Sequence, residues 1–151
     1  MAYQKLQVER ALTVIPDDNI NIPNVAGPTV SGTTDGATAS KLVDSTASFT
    51  SNLLGYIVYS GTDIATVTAV DSATTLSLSA DIMVIGEAYT IYADDNNGCV
   101  LYVGNTGNVR VLTAGNDDVT FVGIPAGAFV PVQVKRVFAS TTDATDIVAL
   151  W

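Results

Sequence analysis

The stretch LYVGNTGNVRV, Leu101 to Val111, is the first place to look for chemistry, because Gly104 and Gly107 stand close together between a β-rich run and Arg110. Such a loop could cradle phosphate. A dinucleotide fingerprint needs three glycines, a preceding strand and a following helix whose amides meet the pyrophosphate, and a P-loop needs Gly-Lys-Ser/Thr. Here NVRVL follows with β alternation, so the spacing predicts a tight turn of a β-hairpin in which the two glycines allow the bend. Leu101, Val103, Val109 and Val111 should then pave one face, with Arg110 turned away.

Carboxylates are the second candidates. The acids are nearly all Asp, Glu9 and Glu87 being the exceptions. The run Asp94, Asp95, Asn96, Asn97, Gly98 lacks the alternate ligands of an EF-hand, and the twelfth loop position is Asn105 rather than Glu. Asp17-Asp18, Asp117-Asp118 and the Asp143/Asp146 pair sit where turns are expected. None of these is given the separation that a glycosidase pair requires by its spacing alone.

Histidine is absent and Cys99 is the single cysteine, which removes Ser-His-Asp, Cys-His and His-ligated metal chemistry together. Cys99 opens an apolar β run and reads as a buried, inert thiol. Tyr56, Tyr59, Tyr89 and Tyr92 could stack on a sugar or base, yet each lies in a strand where aromatics are simply good β residues. Lys135-Arg136 is the one adjacent basic pair. Alternation prevents both charges from sharing a face, and the outward member is expected to meet an Asp of its own chain or of a neighbour. The expectation is a chain with no catalytic, cofactor-binding or metal-ligating residues, and so no enzyme and no cofactor.

The elements that hold these residues are strands. At 151 residues the chain has room for one domain, or a small domain with an insertion, and can bury roughly 70% of its unfolded surface. Residues Leu6, Val8, Arg10, Leu12 and Val14, apolar but for Arg10, alternate with Gln7, Glu9, Ala11 and Thr13 as in a half-buried strand, and helical periodicity is nearly missing. The fold class expected is all-β: an antiparallel β-sandwich or barrel core, discontinuous in sequence, with an inserted small β module. The core takes residues 1–27 and 94–151, and the insert takes 28–93. The small-residue passage AGPTVSGTTDGATAS marks the first boundary and Asp94 to Gly98 the second. Within the insert, YIVYS, IATVTAV, TTLSLSA and AYTIYA read as four strands of a meander or barrel, and Lys41 to Asn52 as a possible short helical turn. After it, CVLYV, NVRVL and DVTFV are joined by loops that fit hairpins, followed by FVPVQVKRVFA and DIVALW. With both termini in one sheet, Trp151 would serve as an apolar anchor. LTVIPDDNINIPNVAG and LTAGNDDVTFVGIPAG share residues at equal offsets and suggest two similar strand-turn-strand units.

Charge bears on partners. Charged residues are 14% of the chain against 48% hydrophobic ones, and the net charge is −9, from 15 acids and 6 bases. The bases are scattered, which argues against nucleic acid. There is no apolar run of membrane-spanning length and no export signal of the common kind, so a soluble chain with no membrane contact is expected. Low charge with abundant Ser and Thr suits subunits that pack against neighbours.

The ordered set CVLYVGNTGNVRVLTAGNDDVTFVGIPAGAFVPVQVKRVFASTTDATDIVALW, 99–151, resembles the C-terminal part of small virion proteins of tailed bacteriophages, among them spike base proteins of gene transfer agents. The resemblance lies in the succession Leu-Tyr-Val-Gly, a Gly-rich turn, Val-Thr-Phe, Pro-Ala-Gly, a Pro-Val strand ending in Lys-Arg-Val, and a final Ile-Val-Ala-Leu. Val14-Ile15-Pro16-Asp17-Asp18 with Ile22-Pro23 is similar to the N-terminal part, and Gly32 to Tyr92 to a β module inserted in phage structural proteins. It implies a non-enzymatic structural role on the capsid exterior of a virion, as a decoration, cement or spike-base subunit. The implied partners are the major capsid protein, further copies of the chain as a homo-oligomer (trimer or pentamer), and a spike or fibre protein. A tail or head-to-tail connector subunit and a carbohydrate- or receptor-binding module are the alternatives.

Overall fold

Runs of Val, Ile, Thr and Tyr alternating with small polar residues form strands wherever a partner can complete the ladder, and Pro, Gly, Asn and Asp end them. A computed structural model describes residues 8–151 and is all-β, with twelve strands and no α-helix among the described residues. In chain order they are β1 (Ala11–Thr13), β2 (Val30–Thr33), β3 (Lys41–Val43), β4 (Ile57–Ser60), β5 (Asp63–Ser72), β6 (Thr75–Leu78), β7 (Ala88–Tyr92), β8 (Cys99–Val103), β9 (Gly107–Thr113), β10 (Asp118–Ile124), β11 (Ala128–Val137) and β12 (Ile147–Leu150). They make two antiparallel six-stranded sheets, β1-β12-β8-β11-β9-β10 and β2-β7-β4-β5-β6-β3, of which one curls into half a barrel.

By contacts the chain divides into a first unit, Met1–Ile22 with Asn97–Trp151, and a second, Pro23–Asn96. The second begins before the composition shift at Ala26, because the Asn24 amide donates to the Ala93 carbonyl at 2.9 Å and closes the base of that unit. Leu6, placed at the start of the first strand from its alternation, lies outside the described residues.

In the first unit β1 pairs with β12, and the Trp151 amide donates to the Arg10 carbonyl at 3.0 Å. The core is Leu101, Val103, Val109, Val111, Val130, Val134, Val137, Ile147 and Ala149, all nearly fully buried, with the Trp151 side chain packed against it. Burying each large aliphatic side chain is worth about 1.5–3 kcal/mol, so this cluster is the main source of the unit's stability.

β11 is shared along its length. Residues 128–134 pair with β8 and residues 134–137 with β9, with irregular register from Val130 to Arg136. Pro131 lies in that stretch and has no N–H to give the ladder, which accounts for a local bulge that bends the strand.

This topology corrects the hairpin expected over Leu101 to Val111. β8 and β9 are not neighbours, since β11 lies between them, and only β9 and β10 form a hairpin there. Leu101, Val103, Val109 and Val111 all face the core as expected.

The two echoing segments also differ: Asp118–Ile124 is a strand, whereas 18–24 forms only the isolated bridge Asn24 to Ala93. The second arm lies along β9, whereas the first meets β11 through the Ile22 amide, which donates to the Lys135 carbonyl at 2.8 Å, without forming a ladder.

In the second unit β4, β5 and β6 form a meander, but β7 returns beside β4 rather than β6, so the expected simple succession is broken. Lys41–Val43 is a strand, and the helical turn reduces to a 3-10 turn at Ser51–Leu53. The core is Leu42, Phe49, Leu53, Val58, Ala65, Val67, Leu76, Leu78, Tyr89 and Ile91.

Candidate interaction surface

The residues singled out for chemistry are taken up by the fold itself. Neither Gly104 nor Gly107 has a positive φ. A Cβ on Gly104 would lie 2.6 Å from the Asp146 Cβ, and one on Gly107 2.6 Å from the Ala144 Cα. The Gly104 amide donates to the Asp146 carbonyl and the Asp143 amide to the Asn108 carbonyl, both at 3.0 Å. These glycines therefore admit the segment ahead of β12 against the backbone, and the amides that could have met a phosphate are spent on it.

The acids hold turns. The Asp17 carboxylate accepts the amides of Asn19 and Ile20 at 2.7 and 2.8 Å. Asp18 accepts the Ser140 amide at 2.9 Å and the Ser140 hydroxyl, and these bonds hold its carboxyl below the ordinary Asp range. Asp143 accepts the Asn108 amide, and Asp146 the Asn105 side-chain amide. Asp95 accepts Asn24 Nδ2 at 2.8 Å. Among the described residues no three His, Cys, Asp or Glu side chains gather as a metal site.

Cys99 is buried and its thiol donates to the Val134 carbonyl at 3.2 Å. Lys135 donates to Asn116 Oδ1 at 3.3 Å. Arg136 donates to Asn21 Oδ1 and to the Asp18 carbonyl, both at 3.0 Å. The expected Asp partner is thus met through its backbone oxygen and not its carboxylate. Arg110 binds both carboxylate oxygens of Asp118, at 2.9 and 2.6 Å, and its guanidinium lies 4.4 Å from the Phe138 ring centre. That pairing lowers the Asp118 pKa and raises that of Arg110.

The four tyrosines are dispersed. Tyr89 is buried, tilted against Phe49, and donates to Asp44 Oδ2 at 2.7 Å. Burial first, and then this bond, push its pKa well above the ordinary tyrosine range. Tyr59 and Tyr92 meet edge to face at 5.6 Å. Tyr56 lines a shallow cavity of about 320 Å³ with Leu54, Gly55, Ala93, Asp94 and Asp95. No common stacking platform results.

What remains is a surface. In an antiparallel sheet with one solvated face, outward residues are normally polar. In the first unit, β12, β8 and β11 break that pattern. Leu101, Val103, Ile147 and Ala149 fill the inner positions, and the alternate outer positions hold Val100, Tyr102, Val148 and Leu150, which are only half-buried. Val148 stands opposite Tyr102, and Tyr102 opposite Phe129, so one apolar row crosses three strands. Phe129 is 56% exposed, with its ring edge-on to Tyr102 at 5.6 Å. Val122 on β10 is 80% exposed.

Residue-type reasoning missed this row. The signal was present in CVLYV and DIVALW, which are continuous apolar runs rather than alternating ones and so describe strands with two apolar faces.

Fold and surface together define an all-β protein with an outward apolar sheet face. No family model, no curated protein and no solved structure matches the chain. Among the described residues no helix is long and apolar enough to cross a membrane.

Proposed function

We propose that this chain is a non-enzymatic structural subunit of a phage virion, a capsid decoration or spike-base protein on the capsid exterior. In this reading the first unit docks on the major capsid protein, copies of the chain join as a homo-oligomer, and the second unit is free to contact neighbours or a spike or fibre protein. Nucleic acid and membrane are not partners.

The observation that carries the reading is the outward apolar row Val148, Tyr102, Phe129. Apolar sheet faces of this kind are uncommon on monomeric proteins and mark surfaces that another protein covers. Two further features support it. The acids and bases singled out above, Asp17, Asp18, Asp118, Asp143, Asp146, Arg110 and Arg136, are engaged in turn and strand contacts, and the net charge of −9 disfavours sticking to packaged DNA.

The test is a particle reconstruction with co-sedimentation of the purified chain on undecorated shells. The chain should appear outside the shell with the β12-β8-β11 face against the capsid protein. A chain that is absent from particles, or bound to the genome inside, overturns the reading.

A further inference from the structure

The described sheets end in four edges: β1 and β10 in the first unit, β2 and β3 in the second. An unpaired edge is a template for another strand, and proteins usually blunt it by shortness, Lys, Pro or a bulge. β1 and β3 have three residues each and β2 has four, and β3 carries Lys41. β10 has seven, contains no Lys, Arg or Pro, and exposes Asp118, Val119, Thr120, Val122 and Gly123. Its one charge is met by Arg110. Its one protective device is the irregularity between Phe121 and Ile124, where Gly123 has φ +65.

The direction of the free backbone groups follows from the register. The Thr113 amide donates to the Asp117 carbonyl at 2.9 Å. Antiparallel alternation then turns the amides and carbonyls of 119 and 121 toward β9 and those of 118 and 120 toward the open side; past the irregularity the Gly123 amide again faces β9, donating to Asn108 Oδ1 at 2.9 Å, which leaves Val122 on the open side. Val119 and Phe121 stand opposite Val111 and Val109, so their side chains lie on the core face, yet Val119 is 39% exposed because nothing continues the sheet beyond it.

We propose that β10 is the edge through which two copies of this chain join, pairing antiparallel about a twofold axis at Thr120. The inference rests on the reading above in one respect, that copies of the chain associate, and it names the strand that joins them. The register is self-complementary. Thr120 meets Thr120 of the second copy and Asp118 meets Val122, each pair with both backbone groups on the open side. Val119 meets Phe121, which covers the exposed end of each core.

Charge selects the same register. With Thr120 at the axis, the two Asp118 side chains sit about 14 Å apart along the strands at roughly 3.4 Å per residue. An axis at Asp118 would set like charges opposite one another, which is destabilising. In a chain of net charge −9, pairing of the one β10 carboxylate with Arg110 lowers the repulsion that a second copy meets at this edge. A symmetric contact of this kind is closed and cannot propagate into a fibre.

The test is sedimentation equilibrium of the full chain and of Thr120→Pro. Proline at 120 removes an amide that faces outward, so pairing with β9 is kept while the contact between copies loses a donor from each side. The wild-type chain should form a concentration-dependent dimer, and T120P should weaken it roughly tenfold or more, with an unchanged melting curve at concentrations where both chains are monomeric. If T120P fails to fold, Thr120→Lys replaces it, with the same result expected. A wild-type chain monomeric at every concentration, a monomer that instead takes up an extended strand from the capsid protein, or a trimer or pentamer indifferent to both variants overturns the inference. The two readings fail separately: T120P that no longer pairs but still decorates shells leaves the virion role standing, and intact pairing with no binding to shells removes that role and leaves the β10 contact.

Discussion

The two units solve the same problem, a six-stranded antiparallel sheet in a small unit, in opposite ways. The second keeps its edges small and its polarity inside. Its edges are short, and its core admits a polar pair, Asp44 and Tyr89, each 3% exposed. Asp44 Oδ2 accepts the tyrosine hydroxyl at 2.7 Å, and Oδ1 accepts the Thr46 amide and hydroxyl at 2.9 and 2.6 Å. The first unit has a core built almost wholly of aliphatic side chains, yet sets apolar residues on an outer sheet face and along an open edge. The contrast teaches that buried polarity and outward hydrophobicity go with different tasks. One specifies a single packing from within, and the other asks to be completed by a second surface.

The most damaging single change should fall on the first unit and spare the second. Gly107→Val places a β-branched side chain where the Ala144 backbone already stands, and backbone cannot rotate out of the way as a long side chain can. A loss of about 3 kcal/mol or more is expected, since overpacking against fixed atoms exceeds the usual range for core insertions. Hydrogen exchange read unit by unit would show β9, β11 and β12 losing protection while β4 to β7 keep theirs. Loss of protection in both at once would show that the two units unfold as one.

The next effect should reverse the pattern. Tyr89→Phe leaves a buried carboxylate short of one donor, and the cost is about 1–3 kcal/mol, confined to the second unit. pH reads out the same pair. Hydrogen bonds, first from Thr46 and then from Tyr89, hold the Asp44 carboxyl below its ordinary value of 3.8. Its contribution is therefore present above the ordinary carboxylate range and is lost as pH falls through the depressed value. The tyrosine works in the other direction. Its folded pKa is raised above 10.0, so its contribution is full below that value and declines as pH rises beyond it. Asp44→Asn should remove part of the acid limb in melts that follow the second unit and leave the first unit's profile in place.

How much of this was legible in the sequence depends on whether a signal was local. The all-β class, the core valines of β8 and β9 and the buried thiol follow from alternation within a few residues. β2 was hidden because VSGT looks like a linker. Gly32 is there because the Tyr89 hydroxyl and the Asp44 carboxylate occupy the space a Cβ would need, a requirement set by residues distant in the chain. The β8–β9 hairpin was read from a short glycine-rich connection, and long-range pairing with β11 overrode it. The same holds for the two glycines: turn chemistry and close approach give the same letters, and only the partner segment 143–146 separates them.

The smallest effect on folding is the sharpest test of what the first unit is for. Phe129 is more than half exposed, and among the described residues its ring partner is Tyr102. Phe129→Ser therefore forfeits an edge-to-face contact and little burial, under about 1 kcal/mol, and the melting curve should barely move. Binding is another matter. An aromatic at the end of an apolar row is the kind of side chain that dominates a buried interface, and its truncation there costs about 2 kcal/mol or more, roughly thirtyfold in affinity. Titration of F129S onto undecorated shells should show that weakening beside an unaltered fold. Equal affinity would mean that the β12-β8-β11 face is not the docking surface, and the contrast between the units would then rest on the β10 edge alone.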